Sequence, residues 1–214
     1  MVEHISYAEQ ALWGDGGNEW QSPIAISDDA IQAHDWVERP LTATFYETSA
    51  LLSDDRPVGE QFLGDGELMI GNDTLAFDRL HFHDGAEHVV DGHQHDFEVH
   101  FVFQHPVTQA VTVLGVFGQT IATDMTDCDR VITKLFARES VTANELNALL
   151  PEKKSYITYQ GSLTTPPVQQ DITWLLLTEP ITVRAATGAV IHRSYPDNHR
   201  DLQPLNGRTL HLYA

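Results

Sequence analysis

The 214-residue sequence predicts a single-domain, mainly β (α+β) protein, mostly antiparallel, with two small helices. Three observations carry that expectation. Short alternating or wholly apolar segments recur along the chain with Gly, Asn and Asp turns between them. Helical periodicity is confined to two short stretches. No repeat, low-complexity tract or linker divides residues 1–214, a length that large all-β domains often occupy undivided.

Residues 1–20 are polar and aromatic without a period, and Gly14, Gly16 and Gly17 argue for an irregular arm with Trp13 and Trp20 as its anchors. Residues 21–26 (QSPIAI) begin an edge strand, since proline is confined to strand starts and edges. Residues 41–46 and 67–70 alternate, the second run ending at the Gly71-Asn72-Asp73 turn, and 74–77 lead into a strand that carries His81 and His83. Asp91-Gly92 reads as a turn, with 97–103 as a second strand able to pair antiparallel with the first. Residues 111–117 (VTVLGVF) are apolar nearly throughout and predict a strand buried on both faces. Thr126 can cap a helix over 127–137, where Val131, Ile132, Leu135 and Phe136 recur at helical spacing and Asp127 and Asp129 sit in the first turn. A shorter helix over 143–149 stops before Pro151. Strands at 156–159, 171–177 and 181–183 surround a Gly-Ser-Leu-Thr-Thr-Pro-Pro loop, and the tail ends in a strand at 209–213.

Acidic residues number 31 against 12 basic ones, a net charge of −19 that repels phosphate backbones and anionic lipid. Nucleic acid and membrane are therefore not expected partners. The acidic balance suits a salty or acidic habitat, or simple solubility. The lone Cys128 cannot form an internal disulfide, and MVEHISYAEQ lacks the basic start and apolar run of a secretory leader, so the expectation is a cytoplasmic protein. An edge strand or the short arm offers a surface through which a homodimer could form.

Seven of the twelve histidines fall within residues 79–105. His81 and His83 are two apart, so on a strand both rings point the same way. On the next strand Glu98, His100 and Val102 share one face while Phe97, Val99, Phe101 and Phe103 form the other. If the aromatic face is core, His100 looks into the same space as His81 and His83. Three neutral imidazoles with no fourth protein ligand nearby is the pattern of a catalytic Zn2+. Glu98 is placed to orient His100 from behind. His93 and His95 share the parity of the core face and sit just after the turn, which predicts solvated hairpin residues; His88 and His105 read as structural or exposed.

The loop at Gly161-Ser162-Leu163-Thr164-Thr165-Pro166-Pro167, downstream of His-Phe-His, Glu-His and Glu-Val-His, resembles the α-class carbonic anhydrases. The likeness runs through QSPIAI, VLGVF, YQGSLTTPP, ITWLLL and NHRDLQPLNGR in the family's order. It implies a large twisted, mainly antiparallel central sheet with Zn2+ at the floor of a conical cleft. It also implies reversible hydration of CO2 to bicarbonate through a zinc-bound hydroxide, with anions and sulfonamides as inhibitors. By the same resemblance His81, His83 and His100 are the zinc ligands, Glu98 supports the third, and Glu87 with Thr164 orients the nucleophile. Val102, Val113, Leu163, Ile172 and Trp174 match the apolar wall where CO2 rests, and Thr165 lies at the floor.

Two departures stand out. The family's proton-shuttling histidine has no counterpart near 53–58, which implies buffer-dependent proton transfer, with His4, His34, His93, His95 or His199 as the available stand-ins. Arg79 stands where the family has a glutamine that accepts from the first zinc histidine, and arginine has no acceptor. Two rivals compete. H-x-H-x3-E over 81–87 also resembles the first cupin metal motif, with Glu87 as a ligand to iron, manganese or nickel. A non-catalytic carbonic anhydrase-like binding module is the other, although such proteins lose a zinc histidine and all three are present here.

Overall fold

The computed structural model describes residues 4–14, 19–46 and 50–214. Gly16 and Gly17 lie outside them. The arm is not wholly irregular: Tyr7–Leu12 form a 3-10 helix. Its anchor is Tyr7, whose hydroxyl is buried, with Trp13 packed edge-on against it at 5.2 Å, whereas Trp20 is 46% exposed.

The first strands in chain order are β1 (Ala25–Ile26), β2 (Ile31–His34), β3 (Leu41–Phe45), β4 (Leu52–Arg56), β5 (Gly59–Leu63), β6 (Gly66–Ile70) and β7 (Asp73–Asp84). Next come β8 (Val89–Val90), β9 (His93–Gln94), β10 (Phe97–Gln104), β11 (Val111–Gln119), β12 (Tyr156–Gly161), β13 (Ile172–Thr182) and β14 (Leu210–Tyr213). Eleven strands form one sheet whose main path is β2-β14-β12-β13-β11-β10-β7-β5-β4; β6 pairs with β7 and β3 with β6. Most pairs are antiparallel, but β11–β13 and β2–β14 are parallel within that sheet, so it is mixed. Between β11 and β13 the chain passes through α1 (Asp127–Phe136), a 3-10 helix over Ala143–Leu149 and β12, a connection long enough to bring the next strand back parallel. The Asp91-Gly92 turn does occur, with both residues at positive φ, but it closes the small β8–β9 hairpin rather than joining β7 to β10.

The parity expected for β10 is the parity observed. Phe97, Val99, Phe101 and Phe103 lie in one apolar cluster with Phe77, Leu80, Phe82 and the buried face of α1. Val102 lies in a second cluster with Val113, Ile172, Trp174 and Leu176. Each fully buried side chain of this size contributes roughly 1.5–3 kcal/mol, so the first cluster fixes the register of β7 against β10 and thereby turns their polar positions to the other face. α1 begins at Thr126, whose side chain accepts from Asp129 N–H in a capping box, as its sequence predicts.

The β4–β5 hairpin and α2 (Ala185–Ser194) have no counterpart in the sequence-based expectation. β4 is LSDDR, acidic and without alternation at an outer edge of the sheet, so it carries no burial signal. α2 buries only Thr187 and Ile191, too narrow a stripe to show a helical period. No helix among the described residues is long and apolar enough to cross a membrane.

Candidate metal centre and cleft

β7 and β10 pair antiparallel with His100 opposite His81 and Glu98 opposite His83. One nitrogen each of His81, His83 and His100 lies within 4.8 Å of the others, and the ring centroids are 4.5–5.1 Å apart. The outer nitrogens are largely engaged. His83 Nδ1 donates to the Asn198 carbonyl at 2.6 Å, and His100 Nε2 donates to Glu98 Oε1 at 2.9 Å. Those bonds fix the tautomers, leaving the lone pairs of His83 Nε2 and His100 Nδ1 for a ligand. His83 Nε2 is buried with no hydrogen-bond partner among the described residues. Burial holds all three imidazoles below the usual histidine range, His83 at about 4, so each is neutral at pH 7 as a metal ligand must be. Orphaned, neutral and convergent nitrogens fit a tetrahedral divalent metal with one position open.

His81 is the exception among the three, because its Nδ1 is buried with no hydrogen-bond partner among the described residues. Arg79, two residues upstream on the same face, donates instead to Gln61 Oε1 at 3.2 Å and to Asp78.

His88, Glu98 and His100 also cluster at metal-ligand spacing. There the atoms already satisfy one another: Glu98 Oε1 accepts from His88 Nδ1 and from His100 Nε2, both at 2.9 Å, and Glu98 Oε2 accepts from His88 N–H at 3.0 Å. Burial opposes ionisation of Glu98, but His88 and His100 overcome it and hold the carboxyl well below its usual range. His88 Nε2 lies 2.7 Å from Tyr159 Oη, which lies 2.8 Å from Ser22 Oγ. His88 is thus wholly structural and not exposed. His105 caps its own turn, accepting from Val107 and Thr108 N–H. His93 is exposed, while His95 stacks on Phe117 at 4.7 Å.

Glu87 is buried beside the triad, its Oε2 3.6 Å from His83 Nε2 and 3.9 Å from His100 Nδ1. Burial raises its pKa, opposed by His100, the Thr164 hydroxyl and the Arg200 N–H, which donates to Oε1 at 2.8 Å. Oε2 itself has no well-formed hydrogen bond among the described residues. The Thr164 hydroxyl stands beside Glu87, close enough that its hydrogen bond lowers the carboxyl pKa.

The triad opens into a cleft of about 30 Å³, room for one or two water-sized molecules. His81, His100, Val102, Val113, Leu163, Thr164, Thr165 and Trp174 line it. Ile172 does not border it directly; it is wholly buried in the apolar cluster that Val102, Val113 and Trp174 share. His100 is level with Gly115 and Leu176 across the sheet, whereas Ile172 starts β13 opposite Gly161, four residues from that level. At about 3.3 Å per residue it is roughly 13 Å along the strand from that level, behind Trp174. Val58, Gln61 and Arg79 also line the cleft and were not anticipated as such. Neither were the Asn198 carbonyl and the Arg200 N–H, although both lie in the NHRDLQPLNGR stretch whose order the sequence already flagged.

A curled mixed sheet that converges three imidazoles on the floor of an apolar-walled cleft is the architecture of the carbonic anhydrase class of enzymes. A family model of eukaryotic-type carbonic anhydrase matches residues 8–213, and the chain belongs to that family, whose activity is the hydration of CO2 and its reverse. It is 32% identical over 199 residues to a carbonic anhydrase of Pectobacterium atrosepticum, covering 89% of this chain and 78% of that one. A carbonic anhydrase of Nostoc sp. is 28% identical over 198 residues, covering 88% and 74%. Among solved structures, carbonic anhydrase Cah3 from Chlamydomonas reinhardtii in complex with acetazolamide superposes with a TM-score of 0.85 at 22% identity, covering 100% of both chains. The α-carbonic anhydrase of Photobacterium profundum gives 0.80 at 24% identity, covering 99% and 100%. The cupin reading falls with the family.

Proposed function

We propose that the chain is a zinc enzyme that hydrates CO2 reversibly, with His81, His83 and His100 holding the metal. One observation carries the reading: three neutral imidazoles converge within 4.8 Å while Asn198 and Glu98 occupy the outer nitrogens of two of them. When bound, the metal supplies Lewis-acid chemistry that makes water a nucleophile near neutral pH.

The chain's own residues do the rest. Glu98, fixed by His88, keeps the His100 lone pair turned inward. Thr164 gives its hydroxyl proton to ionised Glu87, which can only accept, and its oxygen is left to accept from the attacking nucleophile. That aims a lone pair at the substrate carbon. Val102, Val113, Leu163 and Trp174 offer an uncharged gas an apolar resting place, and Thr165 borders it. Sulfonamides belong to the same reading as inhibitors, supported by the acetazolamide bound to the Chlamydomonas reinhardtii neighbour. No histidine other than His81 and His100 lines the cleft among the described residues, which supports proton export through buffer.

The test is metal analysis with CO2 hydration measured before and after chelation, then His100→Ala. Zinc at one per chain, with activity lost on chelation and in the variant, is expected. Activity that survives His100→Ala would end this reading.

A further inference from the structure

We propose that Arg79 is an anion-docking and specificity-determining residue of the cleft, engaging oxygens of bicarbonate and of other small monovalent oxyanions. This rests on the reading above, which supplies bicarbonate as the anion.

The backbone delivers Arg79 there. Val102 pairs with Arg79 and Phe103 with Phe77, so Asp78 is an extra residue in β7, a bulge that turns Asp78 and Arg79 together away from the aromatic core. Arg79 then lines the cleft beside His81, Gln61 and Thr165. The guanidinium is held in place. Its Nε donates to Gln61 Oε1, and Gln61, 1% exposed, is itself fixed by donating from Nε2 to the Gly59 carbonyl at 3.2 Å. Nη1 pairs with Asp78. A guanidinium carries five N–H donors in a planar fork, and Nη2 has no protein partner among the described residues.

Orienting the metal ligand does not account for this residue, since arginine accepts no hydrogen bond and His81 Nδ1 has no partner among the described residues. Structural pairing with Asp78 accounts for little, because such partly exposed pairs add almost nothing to stability. Electrostatics gives it a task. The chain carries −19, which disfavours an anion's approach, and a permanent cation inside the cleft offsets that locally. Bicarbonate feels this charge and CO2 does not.

The experiment uses zinc-loaded protein. Inhibition constants for nitrate and for bicarbonate as product are measured during CO2 hydration, and nitrate binding is measured separately by calorimetry. Arg79→Met removes the charge without giving His81 an acceptor. Both anions should bind about tenfold more weakly, about 1.4 kcal/mol, and Arg79→Lys should recover part of the loss. A catalyst leaves the equilibrium constant unchanged, so KM and kcat for bicarbonate dehydration should rise together in the Met variant. Asp78→Asn should act in the opposite sense and tighten nitrate several-fold, a gain that a damaged fold does not produce. Nitrate affinity within twofold of the parent in both Arg79→Met and Asp78→Asn would overturn the proposal. Zinc-loaded parent protein without CO2 hydration would overturn the enzyme reading instead, while calorimetry still decides the role of Arg79.

Discussion

Gly115 lies directly opposite His100 in the β10–β11 ladder, and a Cβ built on it would stand 2.8 Å from Glu98 Oε1 and 2.6 Å from Leu176 Cδ2. The glycine makes room for the carboxylate that orients the third imidazole. Gly115→Ala should push Glu98 off His100, costing about 1–3 kcal/mol in stability by overpacking and about 10–100-fold in metal affinity through the lost supporting hydrogen bond. Urea unfolding and competition with a chelator check both numbers. An alanine variant that keeps zinc as tightly as the parent would show that Glu98 has slack which the geometry denies.

The same carboxylate depends on His88. In His88→Leu, Glu98 loses the ring donor and Tyr159 Oη loses its 2.7 Å partner, both fully or nearly fully buried. Glu98 keeps His100 and the residue-88 backbone N–H, and Tyr159 keeps Ser22. What is lost is one buried hydrogen bond to a charged group, about 1.5–3 kcal/mol, and one neutral one, about 0.5–1.5 kcal/mol, so roughly 2–4 kcal/mol is expected by denaturant unfolding. A loss below about 1 kcal/mol would mean that water or a side-chain shift replaces the imidazole.

Much of this centre was legible because it depends on strand parity. Once Phe97, Val99, Phe101 and Phe103 are assigned to the core, His100 and Glu98 must face the other way, and two-residue spacing puts His81 and His83 on the same side. Parity gives the face but not the level along a strand. Ile172 was for that reason grouped with the cleft wall: it stands one same-face position beyond Trp174, in the apolar cluster that Trp174, Val102 and Val113 share, and a buried strand of one apolar run shows no mark of height. The roles of Asn198, Arg200, Gln61 and Val58 were hidden for another reason. They act through backbone groups or through tertiary contacts made from hairpins and loops, and no local pattern encodes those.

Acid should destabilise the metal-free protein. Burial lowers the pKa of His83 to about 4 and lowers those of His81 and His100 from the ordinary 6.5. Between pH 6.5 and about 4 the unfolded chain binds protons that the folded chain refuses, so stability falls as pH falls, on the order of 1 kcal/mol per unit per histidine. Glu87, raised by burial, opposes this in its own range. Unfolding free energy of the chelated protein measured from pH 7 to pH 4 should drop steeply, and zinc should shift the drop to lower pH. A flat profile for the chelated protein would mean that these rings are solvated when the metal is gone.

Forming bicarbonate from CO2 and water releases a proton that must leave the cleft. Among the described residues no spare imidazole lines it, and His4, in the neighbouring hollow that shares Val58 with the cleft, is tied to Asp55 at 2.7 Å. A donor titrating near pH 7 that loses its proton straight to bulk water is limited by diffusion to roughly 10³–10⁴ per second. Turnover in dilute buffer should therefore sit at or below that value and climb with added imidazole. Val58 lines the cleft half-buried, so Val58→His should raise turnover in dilute buffer and flatten its dependence on buffer concentration. Stopped-flow hydration that is fast in dilute buffer in the unaltered protein, and indifferent to imidazole, would show that a relay already exists and send the search back to His4.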